Sequence, residues 1–93
     1  MDTVGYYTVE LARPPHGWGR VERLTDRARE AADECSRHGA RVRHLRSIFV
    51  PERDACFLLY EGATADAVRD AAERAGLEVE QVHASLGAGE TGP

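Results

Sequence analysis

Residues 42–61, VRHLRSIFVPERDACFLLYE, decide the fold. Val42 to Val50 is rich in β-branched and aromatic residues toward its end, and Ala55 to Glu61 is largely apolar. Between them Pro51-Glu52-Arg53-Asp54 has the chemistry of a turn. A four-residue connection joins strands that run in opposite directions, so the segment reads as an antiparallel hairpin. The flanking chain then supplies one strand and one helix on each side.

Upstream, Tyr6 to Leu11 alternates, with Tyr7, Val9 and Leu11 on one side and Tyr6, Thr8 and Glu10 on the other. That is the pattern of a half-buried strand. Arg13-Pro14-Pro15-His16-Gly17 ends it, because two prolines and a glycine continue neither strand nor helix. From Trp18 to His38 the spacing changes to three and four, placing Trp18, Val21, Leu24, Ala28, Ala31 and Cys35 on one stripe. Gly39 stands where a left-handed residue closes a helix. The other face mixes charges, with Arg29/Asp33 and Asp33/Arg37 as helical pairs, and reads as a solvated exterior.

Downstream, Thr64 is a good N-cap, and Asp66 puts negative charge in the first turn of a second helix. That helix presents Val68, Ala71, Ala72 and Ala75 and ends at Gly76; a stripe of alanines must lie close against a sheet. A last strand has Val82, Ala84 and Leu86 on one side and Gln81, His83 and Ser85 on the other. Gly87 to Pro93 is expected to be a disordered tail. The order is β-α-β-β-α-β, the ferredoxin-like α+β fold, in one domain over residues 1–86. It has a four-stranded antiparallel sheet, the first and third strands central, and two helices on one face.

Composition removes whole classes of function. The 93 residues carry 12 basic and 16 acidic side chains, a net charge of -4, which is no footprint for nucleic acid. Every basic residue is arginine, so neither a Schiff base nor a P-loop is available. No apolar run reaches a membrane span and no segment resembles a signal peptide. Cys35 and Cys56 are expected to be reduced thiols in a cytoplasmic protein. A chain of this size buries only roughly 60–65% of its unfolded surface, which favours pairing with a second copy.

Helices on one side leave the other sheet face open. Tyr6, Thr8 and Glu10 should face it from the first strand, and Gln81, His83 and Ser85 from the last. In the second strand, Leu45 and Phe49 toward the helices put Val42, His44, Arg46, Ile48 and Val50 outward. The reverse choice would bury the Arg46 charge. The third strand is apolar on both sides, which implies that both of its faces are covered. A second copy of the chain is the simplest cover, giving a homodimer with a chamber lined by Tyr6, Glu10, His44, Arg46, Tyr60 and His83.

Two chemistries fit such a chamber. Glu10 and His44 could move a proton, with Tyr6 beside them and Arg46 holding an anion, as in a cofactor-free isomerase, cyclase or oxygenase. Alternatively His44, His83 and Glu10 could ligate a divalent metal such as nickel or zinc. The plain alternative is that these polar groups only satisfy one another at an interface. Elsewhere, Cys35-x-x-His38 has metal-like spacing, but Cys35 lies on the apolar stripe and reads as a structural thiol. His38 suits the end of the helix dipole. The His16 loop lies at the same end of the sheet as the Pro51–Asp54 turn and could act as a lid, although its simpler role is to start the helix with Trp18 capping the core. Ser36 and Ser47 have no evident catalytic partner.

Val42-Arg43-His44-Leu45-Arg46-Ser47, Phe57-Leu58-Leu59-Tyr60-Glu61-Gly62-Ala63, Ala67-Val68-Arg69 and Ala75-Gly76-Leu77 resemble a family of small bacterial ferredoxin-like domains of unknown function, one branch of which binds nickel. The resemblance spans about residues 6 to 86, and Tyr60-Glu61 is its most specific part. It implies a homodimer and makes metal binding a candidate. The nickel-binding branch carries histidines in its second helix, whereas Ala71-Ala72-Glu73-Arg74-Ala75-Gly76 has none. Ligands here would come from His16, His38, His44 and His83. The resemblance therefore puts a metal-binding module first, ahead of a small enzyme and of an accessory protein without activity.

Overall fold

In the computed structural model, which describes residues 4–85, the chain forms β1 (Gly5–Leu11), α1 (Trp18–Arg37), β2 (Val42–Val50), a 3₁₀ turn (Pro51–Arg53), β3 (Ala55–Gly62), α2 (Ala65–Arg74) and β4 (Val79–Ser85). The four strands make one antiparallel sheet in the order β2-β3-β1-β4, so β1 and β3 are central, as the order of elements implied. This is the ferredoxin-like α+β fold. Leu86 and the tail Gly87–Pro93 lie outside the described residues.

The core sits between the sheet and the two helices. Val9, Leu58, Tyr60 and Cys56 from the central strands meet Leu24, Ala28, Ala32, Val68, Ala71 and Ala72, all buried. The molecule is only 18 Å across its thin dimension, room for one sheet and one helical layer. Sequence punctuation holds at the helix ends. Gly39 has φ 101° and Gly76 φ 83°, left-handed values that a side chain disfavours. The Thr64 hydroxyl accepts from the Ala67 N–H at 3.0 Å. The alanine stripe brings α2 so close that a Cβ built on Gly62 would lie 2.7 Å from Cγ2 of Val68.

Two expectations are corrected. Trp18 does not cap the core; it is 63% exposed and meets the ring of Phe49 edge-on at 5.1 Å. Phe49 is on the edge strand, and Trp18 lies a turn before Val21, the first buried residue of α1. The larger correction is in β2, where alternation had placed Val42 and His44 outward. His44 pairs with Tyr60 but Arg46 pairs with Leu59, leaving Leu45 as an extra residue in a β-bulge. One inserted residue inverts the facing of the strand on its N-terminal side relative to the strand on its C-terminal side. Val42 and His44 before the bulge, and Ser47 and Phe49 after it, therefore point toward the helices. Arg43, Arg46, Ile48 and Val50 take the opposite side, so the Arg46 charge stays in solvent as expected. Ala84, near the end of edge strand β4, is exposed.

Candidate functional site

The sheet face away from the helices is built in cross-strand rows. Ile48, Phe57, Glu10 and Gln81 form one; Arg46, Leu59, Thr8 and His83 form the next; Arg43, Glu61 and Tyr6 lie in a third. Phe57 and Leu59 are half-buried with no helix over them, and Ile48 is 43% exposed. At the β2 side Arg43 Nη2 stands 3.6 Å from Glu61 Oε1. On the β1–β4 side, His83 Nε2 stands 3.6 Å from Glu10 Oε1. Antiparallel pairing sets Thr8 opposite His83 and Glu10 opposite Gln81, so this contact is the diagonal between adjacent rows.

Of the residues expected to line the chamber, Tyr6, Glu10, Arg46 and His83 share this face, and only Glu10 and His83 approach each other. His44 and Tyr60 are corrected: both point into the helical side, 6% and 0% exposed. The β2 bulge accounts for His44. Tyr60 pairs with it and has the same parity on β3 as buried Leu58 and Cys56. The pairing of His44 with Glu10 for proton transfer, and the His44–His83–Glu10 ligand set, would need side chains from opposite faces of one sheet. An acid–base chamber on the open face thus lacks His44 and the Tyr60 phenol.

His44 instead belongs to a polar chain beneath α1. Its Nε2 is 3.1 Å from Ser47 Oγ, and Thr25 of α1 donates its hydroxyl to Ser47 Oγ at 2.7 Å. The ring of Tyr60 stands edge-on to the imidazole at 5.4 Å. His44 Nδ1 and the Tyr60 hydroxyl oxygen are buried with no hydrogen-bond partner. We assign the ring proton to Nε2, because the other tautomer would orphan a buried N–H, which costs more than a bare ring lone pair. Burial, aided by the positive charge of Arg29, pushes the His44 pKa down to about 4. Burial also raises that of Tyr60. Both side chains are neutral near pH 7. Ser47, given no partner from the sequence, acquires one because the bulge puts positions 44 and 47 on the same face; in a regular strand a spacing of three puts them on opposite faces.

The remaining candidates stay apart. His16 Nδ1 reaches Asp54 Oδ1 at 3.8 Å, both well exposed, which ties the β1–α1 loop to the hairpin turn. Cys35 and Cys56 are free, buried thiols whose pKa values are raised by desolvation, the signature of structural cysteine. His38 is exposed at the C-cap of α1. Among the described residues Asp33 makes no ion pair with Arg29 or Arg37, and no three His, Cys, Asp or Glu side chains converge on a metal position. No helix among them is long and apolar enough to cross a membrane. Among the described residues a metal therefore finds imidazole–carboxylate pairs, Glu10–His83 on the open sheet face and His16–Asp54 at the loop–turn contact, and no closed centre.

Fold and site together define a small ferredoxin-like domain with one helical face and one open sheet face bearing an imidazole–carboxylate pair. The chain belongs to the family described as nickel responsive protein SCO4226-like, whose profile matches residues 14–84. Its structure is similar to the crystal structure of SCO4226 from Streptomyces coelicolor A3(2), with a TM-score of 0.74 and 15% identity, covering 89% of this chain and 98% of that one. That likeness establishes the fold. No curated protein matches the chain.

Proposed function

We propose that this protein is a non-catalytic, nickel-responsive module that works as a homodimer, closing its open sheet face against a second copy and taking a divalent metal at Glu10 and His83. The observation carrying the reading is the His83 Nε2–Glu10 Oε1 approach of 3.6 Å on a face that also leaves Phe57 and Leu59 uncovered by helix. Imidazole and carboxylate together suit a borderline divalent ion. Two donors hold such an ion weakly, and the same pair from a second copy would bring the set to four. The family description supports nickel over zinc as the ion of interest.

The experiment is calorimetric titration with nickel at neutral pH, with zinc as competitor. Uptake near one nickel per two chains is expected, lost in His83→Ala and weakened by acidification, since a protonated imidazole cannot ligate. No nickel uptake, or uptake unchanged in His83→Ala, would exclude this site.

A further inference from the structure

The cross-strand rows of the open sheet face hold two charges that no opposite charge in the same chain answers. Arg43 and Glu61 answer each other at 3.6 Å. Arg46 is exposed and, among the described residues, makes no ion pair. Glu10 has beside it the imidazole of His83, which opposes a carboxylate's charge only when protonated. Arg46 on β2 and Glu10 on β1 have the whole of β3 between them, about 9–10 Å across the sheet. They also stand one row apart, with Phe57 and Leu59 in the intervening strand.

Whatever covers this face has to meet apolar Phe57 and Leu59 and neutralise both charges, because burying either one alone is strongly unfavourable. A basic partner would leave Arg46 unanswered, and an acidic one would leave Glu10. A second copy of the chain brings both signs at once, and their positions decide how it is seated. Arg46 is on one edge strand, and Glu10 is on the strand beside the other edge. A two-fold axis parallel to the strands exchanges the two sides, laying β2 of each copy over β4 of the other with strands aligned as packed sheets prefer. Arg46 then comes over the partner's Glu10–His83 pair, and the symmetry makes the same contact twice. A two-fold axis across the strands lays β2 over β2 instead, gathering both arginines on one side and both Glu10–His83 pairs on the other. Four donors around one nickel need that second seating.

We infer that in the metal-free homodimer Arg46 of each copy pairs with the partner's Glu10, and that nickel competes with this guanidinium for the carboxylate. The pairing rests on the homodimer of the proposed function, but not on its metal.

Sedimentation equilibrium of the full chain in a chelator tests the pairing without nickel. Arg46→Glu and Glu10→Arg each set like charges against one another at both contacts, and each should weaken the dimer at least about 100-fold. Mixed one to one, the two variants should associate with near wild-type affinity, because each chain supplies at both contacts the charge that the other has lost. Circular dichroism should be unchanged, since both side chains lie on the solvent side of the sheet. In calorimetry Arg46→Gln, which removes the competitor, should take up nickel at least about threefold more tightly than wild type. A mixture that stays monomeric while wild type is dimeric overturns the pairing and leaves the homodimer standing, as does either variant dimerising alone like wild type. A wild type monomeric in the chelator also overturns it; the homodimer then survives only if nickel assembles it. Nickel uptake by Arg46→Gln equal to wild type, or weaker, overturns the competition. Absence of nickel uptake by either protein removes the nickel reading and the competition together, and the mixing experiment still decides the pairing.

Discussion

At the scale of single residues, His44 is a buried imidazole held far from the conditions it meets in water. It is 6% exposed and its pKa is lowered to about 4 from 6.5, by desolvation first and by Arg29 second. Above pH 6.5 the imidazole is neutral whether folded or unfolded, and it contributes no pH dependence. Between pH 6.5 and about 4 the unfolded chain takes up a proton that the folded one refuses. Stability therefore falls as pH falls, by about 1.4 kcal/mol per unit and roughly 3 kcal/mol over the whole window. Urea unfolding at pH 7 and pH 5 should show wild type losing about 2 kcal/mol more than His44→Asn, which cannot titrate. Parallel pH profiles for the two proteins would mean that His44 charges freely in the folded state. This residue was also the hardest to place from sequence. His44 reads as an outward residue while β2 is taken as regular, and nothing at Leu45, neither glycine nor proline, announces the bulge. Glu10 and His83 were placed correctly because they lie in stretches of unbroken alternation, Tyr6–Glu10 and Gln81–Ser85.

At the scale of elements, what was legible was local and what was not was tertiary. The hairpin, the Thr64 cap and the closures at Gly39 and Gly76 each depend on a few neighbouring residues, and each appears where the residues put it. Trp18 has an apolar stripe position yet stays exposed, since stripe membership does not say whether the sheet extends far enough to cover that turn. The alanine stripe of α2 carried more information than a larger one would have, because it demands close approach. The tightest point is Gly62, where an added Cβ would stand 2.7 Å from Val68 Cγ2 and 3.4 Å from the Arg41 carbonyl oxygen. Val68 is fully buried and has little room to withdraw. Gly62→Ala should therefore cost about 1–3 kcal/mol by overpacking. The cost should shrink when Val68→Ala removes the obstructing methyl, a coupling that a double-mutant cycle by chemical denaturation measures directly. Additive effects would show that β3 and α2 separate freely at this point.

At the scale of the whole molecule, one face of the sheet is closed by helices and the other is not. A central strand with half-buried Phe57 and Leu59 on its open side is a poor surface to leave in water, and a domain of 93 residues has little core to spare. Leu59 lies between Arg46 and Thr8 in its cross-strand row, near the middle of that face. Leu59→Glu tests the homodimer without threatening the fold, since the new carboxylate has solvent above it and the Arg46 guanidinium beside it. An apolar side chain buried in this way contributes about 1.5–3 kcal/mol, and a two-fold interface loses it twice. Dimer affinity should then fall by at least about 100-fold. Sedimentation equilibrium should find wild type dimeric and the variant monomeric, with unchanged circular dichroism. Nickel uptake at this site should disappear with the dimer, because the open face of one chain offers it only the Glu10–His83 pair. A monomeric variant that still takes up one nickel per chain would separate the two ideas, leaving the interface in place and moving the metal to a site within a single protomer. A wild type that stays monomeric at every attainable concentration would remove the dimer, and with it the reason for expecting four donors.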